Sequence, residues 1–368
     1  MKRPIPILLV IIAAVSLPSA LAVFLSLAPD PLPAQQDFAD NPYEEAIIDA
    51  ETGRDVPRAI ENPQYISMAD AGLTLEPQDV VFVIDEKHAG GRTAILPQRI
   101  MVHHEIANLE FEDRKAVVVY SPLCGMVRGF AGRVDGRAGG FGTTGKYVNS
   151  MRLIYDRVTD SLWLPLTGRA LDGPMTGAVL ESFPVEWTTW EKVQAAYPQA
   201  RVLSGGALVD ADYTRDPYGS YLRDNTYYQM GGSYLPLLNT DQRLKPKDAV
   251  IVPASGEPTI AFPLEAASAR KVVNFERGMT RIVSFYNPEL GVLNLFEPEA
   301  TGRELTFGYS DGKIFDHQTR SRWSPDGEAV EGRLRGRTLP RVESMRIYWF
   351  AWAAFHPESF LATEDADQ

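Results

Sequence analysis

The sequence predicts a mainly β protein, β-rich with few short helices, built as a tandem duplication of one β-rich domain behind an N-terminal apolar helix. Short runs of β-branched and aromatic residues bounded by Gly, Pro and Asp predict the strands. Blocks of sequence that recur in the same order predict the duplication. A long uncharged stretch behind two cations predicts the apolar helix.

Lys2 and Arg3 precede an uncharged stretch over 4–29, and Asp30 is the next charge. A stretch of that length can cross a hydrocarbon core of about 30 Å as a helix. The cations in front of it orient the body to the non-cytoplasmic side. A cleavable signal peptide is the competing reading, because Ala20-Leu21-Ala22 makes a small-x-small site after Pro18. Apolar residues continue through Val23, Phe24, Leu25 and Leu27, which favours an uncleaved anchor. Both readings export the protein, either anchored in the inner membrane facing the periplasm or exterior, or secreted to the periplasm after cleavage near Ala22. Residues 30–63 form an acidic, Pro-rich linker with a short helix expected over 43–50.

Strands are expected over 80–84, 116–120, 153–155, 162–166, 281–286 and 292–296. The best helix spans 188–197, where Thr188 and Glu191 make a capping-box pattern and Pro198 stops the run.

The repeat is legible block by block. Leu75-Glu-Pro-Gln-Asp79 matches Leu244-Lys-Pro-Lys-Asp248, and Tyr120-Ser-Pro-Leu-Cys124-Gly125 matches Tyr286-Asn-Pro-Glu-Leu290-Gly291. Phe141-Gly142 with Gly145-Lys146 is set against Phe307-Gly308 with Gly312-Lys313. Asp156, Thr159, Ser161 and Trp163 recur as Asp316, Thr319, Ser321 and Trp323. Gly168 to Gly173 pairs with Gly327 to Gly332, and Trp187 and Trp190 with Trp349 and Trp352. The offset falls from 169 (Leu75 to Leu244) to 159 (Gly168 to Gly327), so the second copy has shorter loops. Residues 64–204 are then the first repeat with the candidate site, 205–240 a Tyr- and Gly-rich connection, 241–360 a second, degenerate repeat, and 361–368 an acidic tail. A chain of 368 residues exceeds the usual span of one core, which suits two copies.

A formal net charge of −12 disfavours nucleic acid as a partner, since phosphates would be repelled. Membrane contact is expected through the N-terminal helix alone. Cys124 is the single cysteine, so no intramolecular disulfide can form.

Residues shared by both copies belong to the fold, and residues kept by one copy are functional candidates. The first copy has His103, His104 and Glu105 in a strand-like run over 99–106, followed by Asn108 and Cys124. The second has Ala269, Arg270 and Lys271 there and Leu290 in place of Cys124, while Asn108 recurs as Asn274. On a strand, alternation puts His103 and Glu105 on one face and His104 on the other. Imidazole, carboxylate and thiolate together suit a zinc or copper ion, with His103, His104, Glu105 and Cys124 as the ligand candidates. The same group can serve as a catalytic set, Cys124 being the nucleophile or redox thiol beside His104 and Glu105. The third reading makes Cys124 a small buried packing residue. The glycine-rich run up to Lys146 lacks phosphate-loop spacing, because Tyr147 follows the lysine. Six tyrosines between 213 and 234, with Arg215 and Arg223, suggest a ligand-facing loop or an inter-domain seam. Such a segment could recognise an envelope protein partner or a small ligand between the repeats.

His104-Glu105-Ile-Ala-Asn108, Tyr120-Ser-Pro-Leu-Cys124-Gly125, Tyr155-Asp156-Arg157 through Trp163, and Asp216-Pro-Tyr218-Gly-Ser-Tyr221 together resemble the bacterial domain of unknown function 3179 family. The resemblance runs from about Gln64 to Pro357. It implies an exported or membrane-anchored protein, and it implies a Cys-Pro-Leu-Cys motif whose first cysteine is Ser121 here. The carried-over set is therefore His104, Glu105 and Cys124, without a dithiol.

Overall fold

The computed structural model describes residues 41–112, 114–205, 212–256 and 259–362, all within the compact unit Phe38–Gln368. The expected anchor over 1–29 lies outside the described residues, as do linker residues 30–40 and tail residues 363–368. No helix among the described residues is long and apolar enough to cross a membrane.

The fold is mainly β, as the sequence predicts. Strands arranged in several sheets carry five short helices, α1 (Met68–Ala71), α2 (Gln98–Met101), α3 (Trp190–Ala196), α4 (Leu264–Arg270) and α5 (Trp349–Phe355). The strands expected over 80–84 and 292–296 appear with those bounds, and those around 116–120 and 281–286 run slightly longer. Where a helix was expected over 43–50, only a 3-10 turn forms at Glu44–Ala46, and Ile48–Asp49 pairs instead with the strand Phe141–Val148.

Two halves carry sheets of the same strand order. In the first, Ile106–Glu110, Lys115–Ser121, Met126–Ala131 and Ser182–Phe183 form an antiparallel sheet; in the second, Val272–Arg277, Thr280–Asn287, Val292–Phe296 and Arg341–Val342 do so. A meander of Phe141–Val148, Met151–Asp156, Leu162–Leu164 and Arg169–Asp172 is matched by Phe307–Ser310, Lys313–Asp316, Arg322–Trp323 and Ala329–Glu331. The same hydrogen bonds recur in both. Asp156 accepts from Thr159 Oγ1 at 2.8 Å and from the Trp163 indole at 2.8 Å, and Asp316 from Thr319 Oγ1 at 2.8 Å and the Trp323 indole at 3.1 Å. Burial alone would raise these carboxyls, but the indole and Thr bonds hold both below the usual carboxylate range. Asn108 clasps both backbone groups of Phe141 at 2.8–2.9 Å, as Asn274 does those of Phe307.

One hairpin differs in length between the halves. Phe141–Val148 and Met151–Asp156 are longer than Phe307–Ser310 and Lys313–Asp316, although Phe141 faces Asp156 in one and Phe307 faces Asp316 in the other. Gly312 therefore sits at a turn tip, whereas Gly145 and Lys146 sit inside a strand. The expected equivalence of Gly145-Lys146 and Gly312-Lys313 does not hold, because the extra residues lie between the paired ends. The predicted capping box at Thr188 is also absent. Helix α3 starts two residues later, at Trp190 with Thr189 as its N-cap, and the Thr188 hydroxyl donates to Leu290 O.

The largest core cluster joins the halves. Cys124, Met126, Val148, Met151 and Leu153 pack with Val250, Val252, Ile347, Trp349 and Trp352. Contact is reciprocal: Tyr348 N donates to Cys124 O at 2.8 Å, while Lys192 Nζ donates to Pro288 O at 2.7 Å across the other loop. A Cβ on Gly125 would stand 2.7 Å from the Tyr348 ring, so only glycine allows that approach. All seven residues of α5 are buried, and its C-cap His356 lies against Trp352 with centroids 4.1 Å apart.

Burial pushes the His356 imidazole down to about 4, against about 6.5 in an unfolded chain. The unfolded state thus binds the proton first, and stability present above pH 6.5 is lost as pH falls toward 4, by at most about 3 kcal/mol. Urea midpoints measured across that window should fall more steeply for the natural chain than for His356→Gln; equal slopes would refute this.

Candidate functional site

Pro97 closes a strand and caps α2, so the chain leaves the sheet helically rather than continuing as the strand expected over 99–106. His103 and His104 fall in the turn after α2, and the next strand begins at Ile106. The alternation that was to put His103 and Glu105 on one face therefore does not apply. Glu105 itself has φ +57°, a left-handed conformation uncommon for a residue with a side chain. Lys271 in the second half has φ +70°. Both close the same turn, since Tyr120 N donates to Glu105 O at 2.7 Å and Tyr286 N to Lys271 O at 2.9 Å. The backbone geometry is common to the halves, and the side chain is what differs.

Glu105 is buried and bound in a fork by Arg152, Nε to Oε2 at 2.8 Å and Nη2 to Oε1 at 3.2 Å. Burial raises the carboxyl, and the guanidinium opposes it. Arg152 lies on the extended hairpin, also donates to Thr144 O at 2.6 Å, and covers the Tyr147 ring at 4.6 Å. His104 is held at both ring nitrogens, Nδ1 donating to Arg58 O at 2.7 Å and Nε2 meeting the Tyr213 hydroxyl at 2.7 Å. A carbonyl accepts only, so Nδ1 carries the proton and Nε2 accepts from Tyr213. Burial lowers the His104 pKa further. His103 Nε2 reaches Arg215 O at 2.8 Å. Cys124 is fully buried, its thiol 4.0 Å from Asn149 O and its backbone N–H donating to Ser121 Oγ at 3.4 Å. Burial pushes its thiol up to about 12.

The four expected ligands do not make a metal site. Among the described residues no three His, Cys, Asp or Glu side chains are grouped as an ion would need. His104 has both nitrogens engaged, and the Glu105 charge is neutralised by Arg152. The catalytic set fails for a related reason, because a thiol buried in an apolar cluster and raised to about 12 is not a ready thiolate. The packing reading of Cys124 is the one its surroundings match.

The structure brings together other residues. The connection, from Tyr213 to Leu235, folds over the first half. The Gln98 amide donates to Asp216 at 2.9 Å, to the Tyr120 hydroxyl at 3.2 Å and to the Tyr228 hydroxyl at 3.3 Å. Tyr228 donates to Asp216 at 2.8 Å, and the Tyr120 and Tyr221 hydroxyls meet at 2.8 Å. Burial raises the Tyr120 and Tyr228 hydroxyls well above the ordinary phenol range. Tyr221 stacks on Tyr228 with centroids 3.8 Å apart. Lys247 caps the far side, its ammonium 3.2 Å from the Tyr227 ring centre and donating to Tyr227 O. Beside this network opens a cleft of about 460 Å³, lined by Arg99, Arg215, Asp216, Tyr221 and Arg223 among others.

Sequence reasoning named the connection, and Asp216 within it, but missed Gln98 as the partner of Asp216 and Arg152 as the partner of Glu105. The lengthened hairpin was visible as the drop in repeat offset between Phe141 and Asp156, and Arg152 is on it.

A β-rich protein of two similar halves, with a polar seam and a cleft under the segment that links them, is the class that fold and site define. The chain belongs to the DUF3179 family, described as proteins of unknown function, whose profile matches residues 55–359. Neither the comparison with curated proteins nor that with solved structures gives a match.

Removing Arg152 leaves a buried carboxylate unpaired, so Arg152→Met should cost about 3–5 kcal/mol, and Glu105→Gln with Arg152→Met should recover much of it. Urea unfolding of the two variants measures this; a loss below about 1 kcal/mol in Arg152→Met contradicts it. Cys124 should resist a thiol reagent in the folded protein and react fully in urea. Rapid labelling of the native chain would contradict the packing reading.

Proposed function

We propose that this chain is an exported small-ligand-binding protein, with its site in the cleft between the first half and the connection. The observation that carries this reading is the cleft itself. Its volume, about 460 Å³, lies in the range of small-molecule sites, about 300–1,000 Å³. Its lining includes Gln98, Asp216 and Tyr221, which are tied by hydrogen bonds to Tyr120 and Tyr228 behind them. Such a network holds its groups in place before a ligand arrives, which lowers the entropy lost on binding. Of the tyrosines in the connection, Tyr227 and Tyr228 are buried, Tyr213, Tyr218 and Tyr221 half-buried, and Tyr234 alone is exposed. That favours the small ligand over the envelope protein partner.

The two halves are read as copies of one ancestral domain, supported by the matching sheet orders and the matching Asp–Trp and Asn–Phe bonds. In this reading the second copy is a scaffold that supplies half of the central core. Export, by an anchor or a cleaved signal, follows from the N-terminal sequence and puts the cleft outside the cytoplasm.

Thermal unfolding against a panel of small metabolites tests the reading, because a ligand of the native state raises Tm with concentration. Ser220→Trp and Thr214→Trp fill the cleft from different walls. At least one compound should raise Tm in the natural chain and lose that effect in both variants. Persistence of the effect in both, or no active compound, would remove the cleft from consideration.

A further inference from the structure

The charges on the cleft wall are unequally occupied. Asp216 is saturated: its Oδ2 accepts from Gln98 and Tyr228, and its Oδ1 from Tyr218 N at 2.7 Å. Asp79 accepts from Glu76 N at 3.0 Å and stands 3.7 Å from Arg99. Arg99 in turn donates to Thr74 O at 2.6 Å. Among the described residues, the guanidinium groups of Arg215 and Arg223 have no hydrogen bond or ion pair, and both residues are exposed. Three arginines against two aspartates thus line a cleft on a chain whose formal net charge is −12. The anionic members already have partners, and two cationic ones are left for something else.

We infer that the ligand of this cleft is a small organic oxyanion, a carboxylate or a phosphate ester, paired by Arg215 and Arg223. The inference rests on the binding reading above and names its chemical class. A guanidinium presents paired N–H donors at the spacing of two oxygens on one carbon or phosphorus, which suits either group. The remainder of the ligand meets the Tyr221 ring and Leu222, a leucine 72% exposed on the cleft rim. An apolar body behind the charged group would cover both.

Calorimetric titration of the purified full-length chain at constant ionic strength, with phenyl phosphate, benzoate, benzylamine and benzyl alcohol, tests this. Phenyl phosphate or benzoate should bind saturably and the amine should not, and which of the two binds tells the phosphate ester from the carboxylate. Affinity should fall at least about tenfold in Arg215→Gln with Arg223→Gln and recover in part in the double lysine variant. Anion binding unchanged in the glutamine variant overturns the inference. If the alcohol or amine binds as tightly as the anions and is lost in Ser220→Trp, the cleft reading stands and the oxyanion falls. If no probe binds, the oxyanion is overturned together with the cleft as a site for ligands of this size.

Discussion

The arrangement around the cleft depends on one buried ion pair. Glu105 and Arg152 lie 47 positions apart in sequence, one in the turn after α2 and the other on the extended hairpin. Removing both charges from water is unfavourable, and the two-pronged geometry, the further bonds to Thr144 O and Val56 O and the contact with the Tyr147 ring compensate. Once made, the pair ties the hairpin to the turn. The hairpin tip then reaches the connection, where Asn149 accepts from Leu238 N at 2.8 Å and Ser150 meets Ser233. Asn149 and Ser150 both have positive φ, the conformation a two-residue hairpin turn demands.

Similar frames with different contents explain why one half carries the site. Glu105 and Lys271 occupy equivalent left-handed turns, and Cys124 and Leu290 equivalent loops facing the opposite half. A lysine at the turn cannot pair with an arginine, and the shorter second hairpin ends before the position Arg152 would fill. The second half therefore lacks both members of the pair, and its hairpin tip, Asp311-Gly312, is exposed.

The polar seam beneath the connection meets the general demand that buried hydrogen-bonding groups find partners. Gln98, Tyr120, Asp216 and Tyr228 satisfy one another, so the connection is positioned by directional bonds as well as by apolar contact. A segment held that way keeps one geometry, and the cleft at its edge has fixed walls. The same demand removes His104 from chemistry, because Arg58 O and the Tyr213 hydroxyl already use its two nitrogens.

The sequence by itself determined the β-rich class, the positions of the central strands and the correspondence of the two halves. Those features rest on local alternation and on repeated blocks, which a chain displays without being folded. It also pointed to the one-copy residues His104, Glu105 and Cys124, and to the Tyr-rich connection. It misread the run before Ile106 as a strand, since Ile100, Met101 and Val102 are apolar in either conformation and Pro97 set the helical one. What those residues do was decided by tertiary structure alone. Arg152 reaches Glu105, and Asp216 reaches Gln98, across separations of 47 and 118 residues. Whether a carboxylate is a ligand or half of an ion pair, and whether a thiol is reactive or packed, depends on which distant side chains remove it from water.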